Sequence, residues 1–317
     1  MHELALERPE WGEARSSPRS KLCSGRRSAR WFRVAVVLVL LVATTGSASA
    51  QQADRDAEAV SPLGRLLYAK TETEAPALFQ QVDAARRAAS ASSRPSRDAL
   101  LELGLALDAV WKYREAVSVY STALSRFGND GEIYLRRGLS SLRLRNVNRA
   151  VEDLRQAVRF NQGSFEARYR LGLAYFVDGE FRRAFRTLEE ARVLAATDDE
   201  QVAALSWSYI SARRAGRRDD AEEVLRTIPS GLDLEAPGPY RLLLQMFLGR
   251  VGEYSVFDQD APAEQRGSTE GFGVACWHLY TNSEERAGEL LALVVEGPDW
   301  PAIGVIAAEA DLARMRR

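Results

Sequence analysis

Side chains able to do chemistry are scarce in this chain of 317 residues. The two histidines are His2 and His278, and the two cysteines are Cys23 and Cys276. A metal site needs histidines, cysteines or carboxylates converging as a set, and no such cluster stands at ligand spacing. His278, between Trp277 and Leu279, reads as a packed or half-exposed helix residue rather than a general base. Gly271-Phe272-Gly273 lacks the third glycine, the preceding strand and the lysine of a phosphate-binding loop. Glu189-Glu190 and Glu222-Glu223 leave two readings open, a hydrolase acid/base pair or the wet faces of helices. No cofactor or metal is expected, and the chain reads as a non-enzyme.

The basic residues number 43, and all but Lys21, Lys70 and Lys112 are arginine. Residues 1–50 hold eight bases and four acids, which leaves 35 bases against 40 acids in the remainder. Nucleic-acid binding wants a basic domain or stripe, and a net charge of −5 beyond residue 50 argues against it.

The N-terminal charge belongs to a targeting pattern. An Arg-rich stretch to Arg33 precedes ten uninterrupted apolar residues, Val34–Ala43, and then Ala48-Ser49-Ala50. That is a secretory signal with cleavage expected after Ala50. The apolar run is short for a span, which needs about 20 residues; an uncleaved anchor over residues 34–46 is the alternative. Cys23 would leave with the signal, so Cys276 has no partner for an internal bridge. The expected location is exported, periplasmic or secreted.

The elements that would position any binding surface lie between Asp98 and Thr197. There the sequence repeats every 34 residues: Gly104, Gly138 and Gly172; Ala116, Ala150 and Ala184; Ala123, Ala157 and Ala191. A period of this size marks a stacked repeat. Each unit holds two segments of helical periodicity, such as Leu100–Val110 and Ala116–Leu124, broken near Lys112-Tyr113. The small columns allow close approach of two antiparallel helices, and of each second helix to the next unit.

The columns resemble the tetratricopeptide repeat (TPR). The eighth, eleventh, twentieth, twenty-fourth and twenty-seventh positions read Gly104, Leu107, Ala116, Tyr120 and Ala123; then Gly138, Ser141, Ala150, Leu154 and Ala157; then Gly172, Tyr175, Ala184, Leu188 and Ala191. The family's Trp near the fourth position is Leu100, Tyr134 and Arg168, and its Pro near the end of the unit is Gly128 and Gln162 in the first two. The resemblance implies an all-α, right-handed helical solenoid that binds other proteins. Four TPR-like units are expected over residues 97–235. The fourth carries a three-residue insertion within Thr197–Glu200, since Ala221 lies 37 residues after Ala184.

Before the units, residues 51–96 read as a polar N-terminus, two short helices at Leu63–Ala69 and Ala75–Ala89, and a linker. After them, residues 236–317 read as an irregular connector, a further TPR-like hairpin over Gly271–Val295 and a capping helix opened by Trp300-Pro301. The cap would bury Ile303, Ile306, Ala307 and Ala310 and leave Glu309, Arg314, Arg316 and Arg317 wet. This tail resembles that of exported bacterial TPR proteins.

In the family the concave face comes from the first helix of each unit. Carried onto this chain, it selects Leu101, Leu105, Leu135, Arg136, Leu139, Arg143, Tyr169, Arg170, Leu173, Phe176, Arg213 and Arg214. The family's carboxylate clamp is not reproduced, because Leu101 and Leu105 occupy its first two positions. Two readings stand: a groove for an amphipathic helix or an extended peptide bearing acids, or a surface covered by Leu63–Ala89 or by the superhelix itself. The partner is expected to be a protein or peptide, with no nucleic acid, and a membrane only if the N-terminal segment is uncleaved. The alternative is an accessory subunit of an envelope complex, making contact through its convex or C-terminal face.

Overall fold

A computed structural model describes residues 56–316; the signal segment lies outside the described residues. Strands β1 (Ala59–Val60) and β2 (Leu66–Leu67) form a small antiparallel hairpin. Helix α1 (Pro76–Ser90) follows. Four helical hairpins come next: α2 (Arg97–Ala109) with α3 (Tyr113–Phe127), α4 (Gly131–Arg143) with α5 (Val147–Phe160), α6 (Phe165–Asp178) with α7 (Phe181–Arg192), and α8 (Asp198–Arg214) with α9 (Arg218–Arg226). The C-terminal part holds α10 (Pro239–Phe247), the one-turn α11 (Glu253–Val256), the hairpin α12 (Ser268–Tyr280) with α13 (Glu284–Glu296), and α14 (Ile303–Met315).

The repeat is physical. A Cβ built on Gly104 would lie 2.2 Å from the Tyr120 ring, and one on Gly172 would lie 2.6 Å from Leu188 Cγ. On Gly138 it would meet Leu154 at 2.9 Å. Glycine is therefore the residue that lets each first helix close on its second. Ala116, Ala123, Ala150, Ala157, Ala184 and Ala191 are all fully buried. Ser96, Asp130 and Ser164 add a column of N-caps, each accepting from a first-turn amide. In the fourth unit Thr197 and Glu200, within the insertion, form a capping box.

The turns repeat as well. Trp111, Arg145 and Gly179 stand 34 residues apart and share a left-handed backbone, with φ of 64°, 64° and 87°. Gly216 takes the equivalent place after the insertion, at φ 72°. Glycine adopts this conformation freely, whereas a side chain there costs on the order of 1 kcal/mol. Trp111 and Arg145 bear that strain, and both reach the C-terminal segment.

Two expectations are corrected. Leu63–Ala69 is not helical: Ser61 Oγ accepts from the amides of Leu63 and Arg65, Gly64 turns at φ 84°, and Leu66-Leu67 pairs with Ala59-Val60. Leu67 is buried with Tyr113 and Trp300, which fixes the strand by tertiary contact. The last helix caps the chain, but of its expected wet face Arg316 is exposed while Glu309 and Arg314 are not. It starts at Ile303, two residues after Pro301, and is buried over Gly304–Glu309 and at Asp311. Glu309 is fully buried and paired with Arg145. Arg314, half-buried, donates to the Val177 carbonyl at 2.9 Å.

Helix α8 explains this burial. Its residues from Val202 to Ala212 are buried on every side, as expected of a helix enclosed by others. Helices α7 and α9 flank it on one side, and α10 and α12 pack on the other. Helix α14 then packs on α6, α12 and α13. The C-terminal part thus folds back over the first helices of the repeat rather than extending the stack.

Candidate partner-binding groove

The wall formed by α2, α4, α6 and α8 presents the residues selected above, and the chain itself covers much of it. Phe176 meets Trp207 edge-on at 5.1 Å and Phe272 of α12 at 5.7 Å, while Trp207 stacks on Phe272 at 5.6 Å. Tyr169 is buried, and its hydroxyl lies 3.1 Å from that of Tyr240, which also accepts from Trp207 Nε1. Leu173 is buried beside Ile303 and Ile306. Arg214 forms a two-bond ion pair with Asp311 at 2.7 and 2.8 Å. Arg213 lies 4.2 Å over the Tyr280 ring. Tyr169, Leu173 and Phe176 are core, and half-buried Arg213 and Arg214 are held against α12 and α14.

Leu101 and Leu135, one column of the repeat, face other helices. Leu101 clusters with Val82 and Ala89 of α1. Leu135 clusters with Ala167, Leu171 and Ala174 of α6. The expected cover by Leu63–Ala89 is therefore confined to the first unit, and the main cover comes from the opposite end of the chain.

What stays accessible is the upstream wall: Leu105, Leu139, Arg136, Arg143 and Arg170, all half-buried. Arg136 lies 3.7 Å from both Glu132 and Glu166, and Arg170 lies 3.8 Å from Glu166. These are long, partly solvated pairs that contribute little to folding. Arg143 lies over the Tyr113 ring at 5.2 Å. A cleft of about 210 Å³ runs between Leu139, Arg143 and Arg170 on one side and Pro301–Ile303 and Ile306 on the other. Beneath the wall, half-buried Asp108 accepts from Ser140 Oγ at 2.6 Å and from the Tyr120 hydroxyl at 2.9 Å. Burial raises its carboxyl above the ordinary value, against those hydrogen bonds and the nearby arginines.

The reactive residues are also placed. His278 is buried, with Nε2 2.6 Å from Glu253. Cys276 is a free, fully buried thiol. Glu189 pairs with Arg192, Glu190 with Arg168, Glu222 with Arg218 and Glu223 with Arg226. Among the described residues no three His, Cys, Asp or Glu side chains gather as a metal site, and no helix is long and apolar enough to cross a membrane. Arg145, Trp300, Glu309 and Asp311 also belong to this face and were not among the residues expected on it. Trp300 carried a signal, as a lone large aromatic before Pro301; the two acids carried none.

The hairpins are of the tetratricopeptide type. No family model and no curated protein matches the chain. Similar solved structures include MamA, at 20% identity over 49% of this chain and 89% of that one, with a TM-score of 0.42. YrrB, described as a TPR protein with an unusual peptide-binding site, is 19% identical over 49% of this chain and 78% of its own, at 0.41. A tetratricopeptide repeat protein from Parabacteroides merdae is 17% identical over 77% of this chain and 94% of its own, at 0.48.

Proposed function

We propose that this TPR-type chain is a non-enzymatic scaffold outside the cytoplasm that docks an acidic, amphipathic segment of a partner protein on the upstream wall. The observation that carries this is the chain's own α14. It packs on α6 of that wall and brings Glu309 to Arg145, in the turn after α4, and Asp311 to Arg214 of α8. The first-helix wall already holds a helix whose apolar residues sit on the wall while its acids meet arginines. Arg136, Arg143 and Arg170 repeat that offer upstream, beside Leu105 and Leu139. The guanidinium fork suits a carboxylate better than an ammonium does.

Reversing Arg136 and Arg170 to Glu should abolish capture of the partner from envelope extract and leave the melting temperature nearly unchanged. Unchanged capture by a folded double variant would move the site elsewhere. Raised salt should weaken capture only in part, because the apolar strip is not screened. The location is tested by mass spectrometry of the exported chain, where Gln51 is the expected first residue.

A second reading, contact through the outer face, has an observation of its own. Arg149, Arg155, Arg182 and Arg186 on α5 and α7 are exposed. Their reversal in place of Arg136 and Arg170 separates the two faces.

A further inference from the structure

The repeat starts half a unit early. Val82 and Ala89 of α1 lie 34 residues before Ala116 and Ala123 and are buried like them. Helix α1 is thus the second helix of an incomplete unit. The matching first helix would fall near residues 63–75, and that stretch is committed elsewhere. It forms β2 and a turn, tied by Trp300 Nε1 donating to the Tyr68 carbonyl and by the Lys70 amide donating to the Val110 carbonyl.

The missing helix leaves a trace on α2. Successive first helices are in contact, and in each later unit two positions of the first helix are closed off. In the second, third and fourth units they are Ile133 and Ser140, Ala167 and Ala174, and Ala204 and Ser211, with the insertion counted; all six are at most 2% exposed. The direction of the contact is visible at Ser140, whose hydroxyl on α4 donates to Asp108 on α2. The equivalent pair in the first unit, Ala99 and Ala106, is only half-buried. Both line an open groove of about 620 Å³ with Ala109 of α2 and with Gln81, Ala84 and Ala88 of α1. At its rim Glu102 is exposed and has no ion pair among the described residues. The same column reads Arg136 and Arg170 in the next two units.

We infer that this position receives, in trans, one amphipathic α-helix of a partner protein, which completes the first unit. Three occupied equivalents in the same molecule say that the occupant is a helix. The alanines on both walls call for Gly or Ala at the closest approach, as the glycines do within the complete hairpins. Glu102 calls for Arg or Lys at the rim. This site lies on the leading edge of the stack, shares Leu105 with the upstream wall, and faces a cationic ligand rather than an acidic one.

Two measurements on the full chain test it. In the first, Ala106→Cys and Ala174→Cys, each in a Cys23→Ser background, are exposed to a thiol reagent, with the buried Cys276 as the remaining thiol. Fast reaction at position 106 with protection at position 174 is expected. Equal protection in folded variants means that residues 1–55 or a second copy already fill the position, and overturns the inference. In the second, a hydrocarbon-stapled, fluorescent peptide of the α4 sequence, Gly131–Arg143, is titrated by anisotropy. The staple is needed because an isolated helix of this length is marginal in water. Saturable binding is expected. It should weaken about tenfold or more with Ala84→Arg and Ala88→Arg together, two exposed positions whose change leaves the fold intact. Glu102→Lys should weaken it, while Arg136→Glu with Arg170→Glu should not. Absence of saturable binding, or equal affinity for the Ala84→Arg, Ala88→Arg chain, overturns the inference.

Discussion

Trp111 and Arg145 hold the same place in successive turns, share φ 64°, and both reach Trp300. Trp111 meets the Trp300 ring at 5.7 Å, near edge-on. Arg145 lies over it at 5.4 Å and donates to its carbonyl at 2.8 Å. One column further, Gly179 runs close to Arg314, where a Cβ would lie 3.5 Å from the guanidinium. Where the turn carries a side chain, that side chain grips the C-terminal segment; at Gly179, where a Cβ would only touch Arg314, the left-handed backbone alone favours glycine.

Arg145 is the more informative of the pair. Replacing it with glycine relieves the left-handed turn but leaves Glu309 buried without its cation. Breaking a buried pair in this way costs about 3–5 kcal/mol, more than the strain recovered. Arg145→Gly should therefore lower the urea midpoint strongly. Arg145→Gly with Glu309→Met should recover most of the loss. A neutral single variant would mean that the pair contributes nothing to holding α14.

The repeat columns make a packing forecast. Ala150 is fully buried, and Gly138 packs on Leu154 of the same helix. Ala150→Leu should cost about 1–3 kcal/mol by overpacking, and Gly172→Ala a similar amount against Leu188. Adding Leu188→Ala to Gly172→Ala should relieve the clash while opening a void. Glu152→Leu, on the exposed side of α5, should stay within about 0.5 kcal/mol of the parent. Thermal melts of the four variants decide it.

Asp108 gives a pH dependence with a definite sign. Burial first, opposed by the bonds from Ser140 and Tyr120, lifts its carboxyl above 3.8. Between the unfolded and folded values the native state then binds more protons than the unfolded one. Its contribution is full below the unfolded value and is lost as pH rises through the folded one. Asp108→Asn removes that loss, so the variant should gain on the parent as pH rises above about 4. Urea midpoints from pH 4 to 8 read the difference directly; a gap that moves the other way would make Asp108 a net stabilising anion.

Cys276 should behave as a reporter of unfolding. Burial, only partly offset by Arg214, pushes its thiol up to about 12. Reactivity follows the thiolate, so a thiol reagent at neutral pH should leave Cys276 unmodified in the native chain and label it as urea unfolds it. Rapid labelling without denaturant would show that α12 opens locally.

The hairpins were legible because their determinants are local and periodic. Gly104, Ala116 and Ala123 return at a fixed spacing, and each contact they make lies within a unit or with the next one. The cover over the wall was not legible, because it pairs residues far apart with no shared pattern. Glu309 stands 164 residues from Arg145 and reads in sequence as one more acid on a helix. The same holds for Leu66-Leu67, whose strand depends on Tyr113 and Trp300. Of the proposed groove, Arg136, Arg143, Arg170, Leu105 and Leu139 stay accessible. Leu173, Phe176 and Arg214, expected in the groove, are taken up by the chain's own helices.

Trp300 bonds to Tyr68, and Arg65 donates to the Val295 carbonyl across 230 residues. An open stack of repeats unfolds piecemeal, since each unit leans only on its neighbours and the ends fray first. Here the ends are joined, so neither can fray alone. Amide exchange across α2 to α8 should converge on one slow rate instead of grading from tip to middle, and denaturation should be a single transition. Folding should carry the kinetic signature of distant contacts and run slower than a helical array of this size would otherwise require. Loss of either end would turn a cooperative molecule into a fraying one.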